Sequence, residues 1–131
     1  MRTLLRILLS AIALAAPVTA NAEQQDIAAA ARSVVRVAIV ATDGADAYFV
    51  GHGSGIAVAP DKVVTNAHVV ELTRQEKNLV IGIVPSEGRK SFGGHVIAYS
   101  PGNDLALIQL DEGSLPVSTF FAGAATDGQH V

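Results

Sequence analysis

Two side chains in this sequence are of types, and in surroundings, that could carry out acid–base chemistry together. His68 sits in Thr65-Asn66-Ala67-His68-Val69-Val70, and Asp104 in Asn103-Asp104-Leu105-Ala106-Leu107-Ile108. An imidazole acting as a base needs a carboxylate on its far nitrogen, which fixes the tautomer and stabilises the imidazolium formed when the ring takes a proton. Each residue also has a plainer use. A histidine on an apolar segment is ordinarily a core residue bonded to backbone, and an aspartate after Pro-Gly-Asn ordinarily serves its own turn. Here His68 is expected as a buried ring at the end of an apolar strand. Asp104 leads into an apolar run, which places its carboxylate at the core edge, where an unpaired charge costs several kcal/mol and a facing imidazole would relieve it.

Other chemistry is thinly supplied. Ser54, in Gly53-Ser54-Gly55, is the tempting nucleophile, but it precedes the histidine in the chain. Of the remaining histidines, His52 lies between glycines, His95 in an alternating segment and His130 near the end, and no H-x-x-x-H or H-x-H spacing starts a metal site. With no cysteine there is no disulfide, thiol nucleophile or Cys-based metal site. Neither a metal nor a cofactor is expected.

The elements that must position His68 and Asp104 read as strands. β-branched, turn-bounded runs cover residues 33–40, 47–50 continuing through glycines to 56–58, 62–65, 79–84, 89–99 and 104–110. Gly51, Gly53, Gly55, Gly93 and Gly94 fall inside strands, where glycine marks a bulge, a bend or close backbone approach. Residues 71–77 are polar enough for a surface loop, and Arg89-Lys90 for a solvated turn flank. Six short strands without intervening helices indicate an all-β antiparallel barrel or sandwich.

The 131 residues suffice for one small domain or part of a larger one; half are apolar, 16% are charged and the net charge is -3. That balance argues against nucleic acid as a partner. Residues 1–22 are laid out as a secretory signal peptide, with Arg2 and Arg6, an apolar stretch, Pro17 and Ala20-Asn21-Ala22 as the cleavage site, so export to the periplasm or beyond is expected, with cleavage after Ala22. The apolar stretch is shorter than the roughly 20 residues of a membrane span. Residues 23–32, rich in Ala and Gln and free of Gly and Pro, make a short helix or a loose arm.

Gly53-Ser54-Gly55, Thr65-Asn66-Ala67-His68-Val69 and Asp104-Leu105-Ala106-Leu107 follow one another in an order that resembles the trypsin-like serine peptidases. The likeness is greater to their HtrA/Deg-type bacterial branch, with T-N-x-H-V around its histidine and D-L-A-L around its aspartate. It covers residues 33–110. The resemblance implies a six-stranded Greek-key barrel over residues 33–111, the first lobe of a double barrel, and polypeptide substrates. It makes residues 112–131 a connector whose end, Gly128-Gln129-His130-Val131, opens a second barrel missing from this chain. It also implies a His–Asp–Ser mechanism, with His68 as base and Asp104 as its orienting acid, whose serine lies in a Gly-x-Ser-Gly-Gly loop. No such loop occurs here, and Ser54 matches a strand position in that family. These residues alone are therefore expected to hydrolyse nothing. The rival expectation is a non-catalytic binding or scaffold module of the cell envelope, which would have to cover an apolar face by homo-oligomerisation or a partner.

Overall fold

A computed structural model describes residues 18–88 and 90–118. Helix α1 (Val18–Ser33) leads into strands β1 (Val34–Asp43), β2 (Asp46–Ala59) and β3 (Lys62–Thr65), then a four-residue helix α2 (Ala67–Val70) and a 3-10 turn at Glu71–Arg74. Strands β4 (Leu79–Pro85), β5 (Phe92–Ser100) and β6 (Leu105–Leu110) complete the sheet, with a second 3-10 turn at Pro101–Asn103 before the last. The strands close into an antiparallel barrel in the order β1-β2-β3-β6-β5-β4. Hairpin-linked β4, β5 and β6 return beside β3, which is a Greek-key arrangement.

Alternation builds the interior. Val35, Val37, Ile39 and Ala41 of β1 point inward with Leu79, Ile81 and Ile83 of β4 and Ala106, Ile108 and Leu110 of β6. Burying each of the larger of these side chains contributes about 1.5–3 kcal/mol. The barrel is narrow, so some inward positions admit no side chain at all. A Cβ on Gly55 would lie 2.6 Å from Val63 and 3.0 Å from Val37, and one on Gly94 would lie 2.7 Å from Ile108. Gly55 and Gly94 thus record close approach, whereas a Cβ on Gly51 would meet nothing within 4 Å. Gly51 instead stands beside a register shift, Ile39 pairing with it and Val40 with Phe49. β2 is therefore one strand carrying a bulge and not two strands separated by the glycines. Gly55→Ala is expected to destabilise the barrel by about 1–3 kcal/mol through overpacking, read as a lower denaturant midpoint at constant slope. An unchanged midpoint would show that the interior has room.

Boundaries shift at the ends of strands. β5 begins at Phe92, not at 89, because Lys90 and Ser91 lie outside the ladder, and Arg89 falls outside the described residues. The segment expected as a loop after α2 forms the exposed 3-10 turn Glu71–Arg74, pinned by the Arg74 guanidinium 4.1 Å over the Tyr99 ring. The connector is not free of the barrel: Leu115 is buried, and its N–H donates to the Pro60 carbonyl at 2.8 Å. Helix α1 crosses the expected cleavage point after Ala22, and the apolar stretch of the leader lies outside the described residues, as does His130. Among the described residues, no helix is long and apolar enough to cross a membrane.

Candidate functional site

The ends of β3 and β6 lie side by side, with Val64 opposite Leu107 and Thr65 opposite Ala106. That register sets the residues after β3 against the residues before β6. Buried Thr65 ties the corner to β2 by donating its hydroxyl to the Ser54 carbonyl at 2.7 Å. The chain then turns into α2, anchored in the core by Ala67 and Val70, and His68 is carried on the outer side of this short helix. On the facing side, the 3-10 turn Pro101–Asn103 ends at Asp104, whose backbone is left-handed with φ 53° and ψ 45°. Aspartate is among the few residues that tolerate this region.

His68 and Asp104 meet here. The Nδ1 of His68 is 2.7 Å from one carboxylate oxygen of Asp104 and 3.0 Å from the other, and the His68 backbone N–H donates to Oδ1 at 2.9 Å. Among the described residues, the ring's hydrogen bonds go to Asp104 alone, all at Nδ1. A carboxylate on Nδ1 keeps the neutral ring's proton there and leaves Nε2 as the acceptor, the tautomer a general base needs.

One expectation is corrected. The pair is not buried: 68% of the His68 side chain and 46% of the Asp104 side chain are accessible. The reason is local. His68 rides on a helix outside the barrel mouth instead of ending a strand, and the left-handed turn lifts the Asp104 carboxylate off the core edge. Relief of a desolvated charge therefore does not hold the pair together; directed hydrogen bonds do. The His68 backbone N–H, and then its ring, hold the Asp104 carboxyl below its ordinary value of 3.8. Because the folded value is the lower one, this linkage stabilises the fold at pH above the ordinary value and is lost as pH falls through the folded one. An NMR titration of the Asp104 carboxyl should accordingly find its midpoint below 3.8. A midpoint at or above that value would mean the bonds to His68 are not formed in solution.

The other sequence candidates divide between two places, His52 and Ser54 near this pair and His95 away from it. Ser54 and His52 line, with His68, Asn66, Val50 and Leu72, a hollow of about 420 Å³. Ser54 makes no hydrogen bond to the His68 ring among the described residues; it contributes its carbonyl to Thr65. His95 was read only as a strand residue, yet its Nδ1 lies 2.7 Å from Asp111 Oδ1. The register of β5 on β6, with His95 opposite Gln109, is the signal that could have found this second pair. Sequence reasoning also passed over Asn66, whose amide donates to the Asp104 carbonyl at 3.1 Å.

Among known proteins, residues 53–131 match the family described as trypsin-like peptidase domain. Serine proteases from two strains of Mycobacterium tuberculosis are each 30% identical to the chain over 120 residues, 92% of this chain and 28% of the relative. The chain thus spans less than a third of the length of these curated relatives.

Proposed function

This chain belongs to the trypsin-like peptidase domain family, and from that premise we propose that it supplies the catalytic base and its orienting acid to a serine-type endopeptidase of the HtrA/Deg-type branch. The observation that carries the proposal is the 2.7 Å contact between His68 Nδ1 and an Asp104 carboxylate that is also gripped by the His68 backbone N–H. The nucleophile is a serine contributed by a second barrel, since these residues hold no Gly-x-Ser-Gly-Gly loop. His68 Nε2 takes the serine proton as the hydroxyl attacks the scissile carbonyl, and returns it to the leaving amine as the tetrahedral adduct collapses to the acyl-enzyme. Asp104 stays ionised and stabilises the imidazolium between those steps. Water then releases the acyl group by the same proton relay. The substrates are polypeptides, the site of action is the cell envelope reached through the leader at residues 1–22, and no cofactor takes part.

The test is hydrolysis of an unfolded polypeptide by the purified full-length protein. Cleavage blocked by a serine-reactive inhibitor and unaffected by chelators is the expected result. Absence of cleavage, or cleavage indifferent to that inhibitor, overturns the proposal.

A further inference from the structure

Asn66 occupies the N-cap position of α2, where asparagine ordinarily accepts a hydrogen bond from a backbone N–H of the first turn. It makes no such side-chain bond. The turn is closed instead by its backbone carbonyl, which accepts from the Val69 N–H at 3.1 Å. Its amide reaches across to the opposite segment and donates to the carbonyl oxygen of Asp104 at 3.1 Å. We infer that Asn66 is a positioning residue that holds the left-handed backbone of Asp104 and so aims its carboxylate at His68 Nδ1.

Asp104 has an unusual backbone to maintain. It is the one non-glycine residue with positive φ among the described residues. Its N–H is held by the Pro101 carbonyl at 3.1 Å, its carbonyl by Asn66, and its carboxylate by the backbone N–H and ring of His68. The first of these bonds belongs to the turn itself, and the carboxylate bonds are the ones to be positioned. Asn66 is therefore the side chain that fixes where the Asp104 peptide sits relative to α2. It stands two residues from His68 in the chain, so a single corner after β3 carries both the base and the clamp on its partner. Without that clamp, the peptide following Asp104 can rotate, and the carboxylate drifts from a ring that is itself largely exposed.

The inference rests on the peptidase reading, and the test separates the two. In the full-length protein, Asn66→Asp and Asn66→Ser are the informative variants, because both are good N-cap residues yet neither preserves the bond. Aspartate has no donor, and serine is too short to span the gap. The expected result is a kcat lower by roughly 10- to 100-fold, as for a small misplacement of a catalytic group, with KM within about 2-fold and, in Asn66→Ser, which adds no charge beside Asp104, a melting temperature close to that of the wild type. A wild-type kcat in either variant overturns the inference, as does a loss of activity in Asn66→Ser that tracks a falling melting temperature. Should the wild-type protein itself fail to cleave polypeptides, the peptidase reading fails and the inference with it.

Discussion

Replacing His68 by alanine in the full-length protein is expected to lower kcat for polypeptide hydrolysis by roughly 10⁴- to 10⁶-fold. The size of the effect comes from the role. Without the ring, nothing takes the serine proton as the carbonyl is attacked, and nothing returns a proton to the amine as it leaves. Little else should change. The His68 side chain lies outside the core that Ala67 and Val70 anchor, so α2 and the barrel keep their packing. A circular-dichroism melt matching the wild type would show that chemistry, and not folding, is lost. Wild-type rates from this variant would remove His68 from the mechanism.

Asp104→Asn should lower kcat by about 10⁴-fold while leaving the backbone where it is. Asparagine is the right replacement because it tolerates the left-handed region. Its side-chain oxygen can still accept the His68 backbone N–H. What it cannot do is present two acceptors. The amide NH₂ faces an imidazole nitrogen, which must then be unprotonated, and the proton moves to Nε2, where it blocks acceptance from serine. The variant also loses the negative charge that stabilises the imidazolium. A rate within 10-fold of the wild type would mean that the carboxylate is not the orienting group, whatever its distance from Nδ1.

The barrel was largely legible in the chain because β-branched runs bounded by turn residues are a local signal. The runs at 33–40 and 104–110 are read from it as strands. Both are apolar on nearly every residue, so that Val35, Val37 and Ile39, and Ala106, Ile108 and Leu110, are the inward set is seen only in the fold. The match of His68 to Asp104 was legible as well, from residue type and from motif order. Their exposure was not. A four-residue helix has too little length to show a helical period, so Ala67–Val70 reads as the continuation of an apolar strand. The left-handed Asp104 is likewise invisible until the register between β3 and β6 is set. Asn66 illustrates the limit most clearly. With no helix legible after it, no role is read for Asn66 in the sequence, and only the fold shows that its amide is spent on a residue 38 positions away. The His95–Asp111 pair depends on strand register in the same way.

The most direct test of the central claim is the intact mass of the mature full-length protein, isolated from its source cells, before and after treatment with a fluorophosphonate. Such a probe phosphonylates a serine that a neighbouring histidine has activated. The account predicts a gain of one probe adduct on the wild type and none on the His68→Ala variant over the same interval. A wild-type protein that gains no adduct would contradict it, leaving a histidine and an aspartate held together on a barrel with no nucleophile to serve.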